Sequence, residues 1–153
     1  MIALLQRVTE ARVTVQGQLV GAIGRGLLVF LAVEPDDSEA IAWRLIDRVA
    51  AYRVFGDSDD RMNLSVGDVG GEMLLVSQFT LAADTRKGLR PSFTTAATPD
   101  LGRRLFEFAV ACAREQLPDR VATGRFGASM QVSLVNDGPV TFRLRVSGTG
   151  ETE

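Results

Sequence analysis

The chain has 153 residues, enough for one domain with a sizeable core. Hydrophobic residues make up 46% and charged residues 24%, as in a globular protein, and the longest apolar runs, such as residues 26–33, are far shorter than a helical membrane span. With 17 basic and 19 acidic side chains the net charge is −2, without the overall basic footprint of a DNA-coating protein.

The sequence contains no histidine. That excludes a Ser-His-Asp triad, a Cys-His pair and a His-ligated zinc built from these residues. Cys112 is the single cysteine, so no intrachain disulfide or cysteine metal cluster is available; it falls in an expected helix and reads as a small core residue. The first residues carry no basic stretch before their apolar ones, so they read as a strand and not a signal peptide, and a cytoplasmic location follows by default.

In chain order, residues 2–8 are apolar and strand-like, and residues 12–16 alternate with period two, Val13 and Val15 sharing a face. Gly17-Gln18 reads as a tight hairpin turn, and residues 19–23 as the return strand. Gly24-Arg25-Gly26 turns the chain into another strand, residues 27–33; because a strand follows and no Gly-Lys-Ser/Thr is present, these glycines do not form a phosphate loop. Ser38 and the acids around it supply an N-cap for a helix over 38–52, with Ile41, Leu45, Ile46 and Val49 on one face and Trp43 off the stripe. Residues 53–55 are extended. The acidic turn 56–60 lacks the spacing of a calcium loop. Residues 73–76 form a buried-type strand, and 82–99, rich in Thr, Gly, Pro and charge, read as a long functional or mobile loop. A second helix runs over 101–116, stopped by Pro118, and β-like runs at 130–135 and 140–146 follow. The expected fold is α/β: a single domain with a mixed, largely antiparallel sheet, a barrel-like core and two long helices packed on one side.

Two segments bear on chemistry. Ser77-Gln78-Phe79-Thr80 lies where a buried strand opens into a loop, a junction that joins fixed geometry to access. It offers hydroxyls, an amide and main-chain N–H groups suited to an oxyanion, or it is simply a polar strand end. A hydroxyl with neither histidine nor an evident lysine base beside it is a poor nucleophile, which counts against covalent catalysis by Thr80. The second segment is Asn136-Asp137-Gly138-Pro139-Val140-Thr141, a Gly-Pro step between two apolar runs. It is either an ordinary hairpin turn or a rigid bend that shows bare main chain to a ligand.

Together with residues 1–8 and Arg90-Pro91-Ser92-Phe93, these two motifs, about sixty residues apart, resemble the D-aminoacyl-tRNA deacylase family, also called D-tyrosyl-tRNA deacylase. The resemblance runs to about Val146, so residues 1–146 are taken as the deacylase domain and 147–153 as a flexible tail. It implies hydrolysis of the ester of D-aminoacyl-tRNA, with L-aminoacyl-tRNA rejected and mischarged glycyl-tRNA open to attack. It implies no metal, no organic cofactor, no membrane and no DNA. The implied partners are the aminoacyl-tRNA 3′ end and a second copy of the chain, with active sites at the subunit interface. The implied catalytic residues are Ser77, Gln78, Phe79 and Thr80, acting through main-chain contacts and assisted by the 2′-OH of the substrate. A cis Gly138-Pro139 step would enter the partner's pocket and crowd an L side chain. Asn136, Thr141 and Arg7 would hold that step, and Phe126 and Met130 would pack on the terminal adenine. Arg86, Lys87 and Arg90 are candidate phosphate contacts. Two alternatives stand beside this reading: a non-catalytic tRNA-binding module on the same fold, and an esterase with Thr80 as nucleophile.

Overall fold

The computed structural model describes residues 1–148, so most of the expected tail, 149–153, lies outside the described residues. Its organising element is a 14-residue strand, β1 (Ile2–Val15). The two expected strands 2–8 and 12–16 are thus one. β2 (Gln18–Ile23) and β3 (Gly26–Ala32) follow end to end, both antiparallel to β1: β2 pairs with its second half and β3 with its first. The hairpin turn falls one residue earlier than the sequence indicates. Val15 pairs with Gln18, and Gln16 and Gly17 both take positive φ, the conformation that matches the twist of a two-residue hairpin.

Helix α1 (Glu39–Ala51) begins at Ser38, whose hydroxyl accepts from the N–H of Ile41, and it buries the predicted stripe while Trp43 stays exposed. A small hairpin of β4 (Phe55–Gly56) and β5 (Met62–Leu64) leads to β6 (Glu72–Ser77), which pairs parallel to β3. A 3-10 turn over Phe79–Ala82, a loop, and helix α2 (Pro99–Gln116) then carry the chain to β7 (Val121–Thr123), parallel to β6. The hydroxyl of Thr98 caps α2, and Pro99 takes its first position, where a missing N–H costs nothing; the helix therefore starts two residues before the expected one. The last strand, β8 (Gln131–Arg145), is antiparallel to β1 along its length. Here the structure departs from the simplest sequence picture. The Gly-Pro step does not separate two strands but lies inside one.

The sheet therefore contains both antiparallel and parallel pairs, and it bends so far that β2 returns over β6 and β7. Gly21 permits that return: a Cβ there would collide with the carbonyl of Thr123. One sheet face packs on α1 and α2 through Leu5, Val29, Leu31, Leu45, Leu75 and Leu105. The other is folded inside the bend, around Val8, Val13, Leu28, Leu74 and Val76. Cys112 is buried in the helix-side core. The start of β1, the turn after β3 and the end of β8 are tied together by charge. The Met1 ammonium donates to Glu34 at 3.1 Å, to Asp37 at 2.6 Å and to the Val146 carbonyl at 2.8 Å, and Arg145 grips Glu34 with two nitrogens. Burial alone would raise the Glu34 carboxyl, but these cations outweigh it and hold it below its ordinary value. No helix among the described residues is long and apolar enough to cross a membrane.

β3 and β6 come together at Gly26, where a Cβ would strike the carbonyl of Glu72. Gly26→Ala is expected to lower the unfolding free energy by about 2–3 kcal/mol. Urea denaturation at a fixed protein concentration measures it; an unchanged midpoint would show that β3 and β6 separate without cost.

Candidate functional site

β6 ends at Ser77, level with Leu31 of β3, and the chain leaves the sheet there. The N–H of Gln78 still donates to the Leu31 carbonyl at 2.7 Å, so the first residue outside the strand remains fixed. The 3-10 turn then begins. Its first donor with an acceptor is Leu81, on the Gln78 carbonyl, and the capping residue Ala83 donates to the Thr80 carbonyl. The N–H groups of Phe79 and Thr80 precede any intrahelical acceptor and make no main-chain hydrogen bond among the described residues. The Gln78 amide donates to the Thr80 hydroxyl at 2.6 Å, which orients that hydroxyl without making it more basic. Phe79 is exposed and lies 5.1 Å, ring to ring, from Phe93 of the following loop.

Beside this turn is a cavity of about 260 Å³. Leu31 and Val33 form one wall, Ser77 and Phe79 the mouth, and Pro99, Gly102 and Phe106 the face of α2; Phe126 closes it. Gly102 faces the Phe126 ring, and a Cβ there would meet it at 3.5 Å, an ordinary packing contact. Phe106 and Phe126 are 5.9 Å apart. Among the described residues no ionisable side chain lines the space. Such a slot suits a flat, uncharged group that can stack on aromatic faces. Met130 lies elsewhere, packed against the folded-in core of the bend, its sulfur 3.4 Å from the N–H of Arg125.

The Gly-Pro segment forms a separate assembly. Gln6 pairs with Thr141 and Val8 with Asn136, so residues 137–140 stand opposite the single residue Arg7. These residues leave the ladder as an excursion. The Gly138–Pro139 peptide is cis. Gly138 has φ of 154°, and a Cβ there would meet the N–H nitrogen of Val140 at 2.7 Å, so glycine is required. Asn136 clamps the base: its Oδ1 accepts from Val140 N–H at 2.7 Å and its Nδ2 donates to the Val140 carbonyl at 3.2 Å. Thr141 sits between Asn136 and Gln6, its hydroxyl accepting from both amides. Arg7 donates from Nε to the Asp137 carbonyl at 2.8 Å and from Nη1 to the Val54 carbonyl at 2.7 Å. The guanidinium thus holds the excursion against the segment that follows α1.

Arg7, Asn136, Gly138, Pro139 and Thr141 are brought together, as are Ser77, Phe79 and Phe126. The two groups do not meet within one chain. Ser77 is level with Leu31 and so with Ala3, while the excursion stands at Arg7, and β3 and β1 lie between β6 and β8. Strand spacing and rise put the groups roughly 20 Å apart. Of the basic candidates, Arg86 is bound to Asp84 by two side-chain contacts of 2.9 and 2.8 Å, and these hold the Asp84 carboxyl far below its usual range. Its charge is already matched, which leaves Lys87 and Arg90 as the net local cations. Sequence reasoning missed Gln6, the carbonyl of Val54 and the α2 wall of the cavity. Only the Thr98-Pro99 helix start signalled that wall. Among the described residues no cluster of three or more His, Cys, Asp or Glu side chains is arranged to hold a metal.

Fold and site together define a mixed-sheet domain with a slot for a flat apolar group beside free main-chain donors. A family model described as D-Tyr-tRNA(Tyr) deacylase matches residues 4–145. A D-aminoacyl-tRNA deacylase of Hahella chejuensis is 59% identical over 146 residues, covering 95% of this chain and 99% of that one. That of Pseudomonas putida strain KT2440 is 61% identical over 146 residues, with 95% and 100% covered. Among solved structures, the c-Myc DNA Unwinding Element Binding Protein superposes with a TM-score of 0.92 at 37% identity, over 97% of this chain and 100% of that one. A probable eukaryotic D-amino acid tRNA deacylase shares the fold, with a TM-score of 0.81 at 18% identity over 93% and 97% of the two chains. This chain belongs to the D-Tyr-tRNA(Tyr) deacylase family.

Arg7→Ala leaves the carbonyls of Asp137 and Val54 without their charged donor. It is expected to cost about 2–3 kcal/mol of stability. Amide hydrogen exchange should accelerate at residues 137–140 while β3 and β6 stay protected. Uniform acceleration across the sheet would show instead that Arg7 supports the whole fold and has no particular hold on the excursion.

Proposed function

We propose that the protein hydrolyses the ester linking a D-amino acid to the 3′ end of tRNA, and that it acts as a homodimer whose active sites are shared between subunits. The carrying observation is the junction at Ser77–Thr80. There an apolar aromatic slot opens beside two main-chain N–H groups; among the described residues, no ionisable side chain lines the slot and neither N–H has a main-chain acceptor. In this reading the terminal adenine enters the slot against Phe126, with Met130 further along the same segment. The ester lies over Phe79 and Thr80, whose N–H groups accept the negative charge that develops on its carbonyl oxygen.

The chain has no histidine to serve as a base. That fits an attacking water activated by the substrate, through the 2′-OH beside the ester, as the family resemblance implies, with the protein contributing alignment. Ser77 and Gln78 shape the mouth. Thr80, with its hydroxyl bound to the Gln78 amide, is not the nucleophile. No metal or organic cofactor takes part.

Two considerations support the shared site. The excursion and the junction are roughly 20 Å apart in one chain, so both act on one substrate only if the excursion comes from a second copy. Among the described residues β8 is also a long edge strand, paired only with β1 and carrying exposed Val135 and Phe142, the kind of edge that invites pairing. The excursion of the partner, with Gly138 and Pro139 at its tip, then stands where the side chain of an L-amino acid would go. A D side chain points away, and the hydrogen of glycine is too small to reject, so glycyl-tRNA is also attacked. The protein works on tRNA in the cytoplasm, without a membrane or DNA as partner.

Deacylation of matched D- and L-tyrosyl-tRNA tests the reading. The D ester is expected to be lost at least a hundredfold faster than the L ester. Thr80→Ala should keep activity within about tenfold, and a 2′-deoxy terminal ribose should abolish it. Loss of activity in Thr80→Ala, with the 2′-deoxy substrate still turned over, would favour a covalent esterase. Binding of tRNA without turnover would favour a non-catalytic module.

A further inference from the structure

Behind Phe126 a second depression, of about 330 Å³, runs along the outside of α2. Phe106 and Phe126 line both it and the apolar slot, so it begins where the slot ends. One wall is a single stripe of α2: Arg103, Glu107, Val110 and Arg114 recur at spacings of four, three and four residues. The opposite wall is the segment after β7, which contributes Arg125. Three guanidinium groups thus face a groove that holds one carboxylate, in a chain whose net charge is −2. Arg103 lies 4.8 Å above the Phe126 ring and 3.9 Å from Glu107. Arg114 and Arg125 have no ion-pair partner among the described residues, and both are exposed. From Arg103 to Arg114 the stripe is about 16 Å long.

We propose that this groove is the track of the single-stranded RNA 3′ end, carrying the phosphates just before the terminal nucleotide. The proposal rests on the reading above, in which the terminal base fills the slot, and it names the path by which the strand leaves. Charge and continuity select the occupant. A strand whose last base stacks on one side of Phe126 has its preceding phosphodiesters within reach of Arg103 and Arg125, and the next within reach of Arg114. The apolar floor at Val110 and Phe126 accepts base faces of any sequence, as single-strand tracks do.

The test is a double variant, Arg114→Glu with Arg125→Glu, chosen because neither side chain touches the slot. Three substrates and ligands are used: D-tyrosyl-tRNA, 3′-O-D-tyrosyl-adenosine, and a short RNA oligonucleotide ending in a 3′ adenosine. With the tRNA, kcat/KM should fall at least tenfold, whereas turnover of the aminoacyl-adenosine should change less than twofold, which also shows that the fold is intact. The log–log salt slope of oligonucleotide binding should become shallower by about 1.4, the value for two phosphate contacts on a single strand. Equal losses with tRNA and aminoacyl-adenosine, or an unchanged salt slope, would overturn the track. If the wild-type protein binds the oligonucleotide through these arginines but deacylates neither substrate, the groove stands and the reaction assigned above falls. Binding of an acidic peptide with the same sensitivity, and of no RNA, would overturn the groove as an RNA site.

Discussion

The pairing of β8 with β1 is the constraint on which the rest of the structure depends. β1 is shared by every antiparallel ladder of the main sheet: β3 and β2 lie along one side in succession and β8 along the other. Because β8 is held on both sides of residues 137–140, those residues have nowhere to go except outward. The excursion is therefore a consequence of register, two ladders out of step by a few residues on one continuous strand. Arg7 occupies the gap that this mismatch leaves on β1, and its guanidinium satisfies carbonyls of both the excursion and the segment after α1. Asn136 does the same work inside the loop by imitating a main-chain pair with Val140. A polar segment that would otherwise be mobile is thus fully hydrogen-bonded at its base, and only its tip is bare.

The junction at the end of β6 follows from a different constraint. Parallel strands need crossovers, and the crossover from β6 to β7 runs through the 3-10 turn, the loop and α2. That route places a helix with a glycine and a phenylalanine on its inner face directly over the end of β6, and the slot is the space between them. Ionisable groups are kept out because the walls come from the helix-side core. Charge is placed instead on the outer stripe of α2. Hydrogen-bond donation at the junction comes from the main chain, whose geometry is set by the strand end and not by side-chain rotamers.

Much of this was legible in the sequence. The helices declare themselves through Ser38 and apolar stripes at helical spacing, though the Thr98-Pro99 start of the second went unread, and the hairpin through Gly17. The joining of residues 2–8 and 12–16 was not legible, since Thr9 and Glu10 are exposed and polar and look like a break, yet the backbone continues through them. The short strands Met62–Leu64 and Val121–Thr123 were missed for the opposite reason: three residues give no periodicity to read. The Gly-Pro step was ambiguous because proline is a sound argument against a strand interior, and only the position of Arg7 across the ladder shows how a strand can contain it. Likewise, Arg86 reads as a free cation until Asp84 is seen beside it. Motif reading found the residues of the junction and of the excursion; it could not find Gln6 or Val54, whose part is to hold others in place.

A tip made of glycine and proline, positioned by ladder register, has little side chain to vary. On the proposed reading this affects how such a protein can diverge. A pocket lined by side chains is retuned one substitution at a time, each adding or removing a few atoms. Here substitutions at the tip meet a glycine that tolerates no Cβ and a proline that shapes the chain itself. The available variable is segment length: an insertion or deletion between Asn136 and Thr141 moves the tip by a whole residue while both flanking ladders stay paired. Relatives with altered stereochemical preference are therefore expected to differ by gaps in this segment more than by replacements, and intermediate settings should be rare.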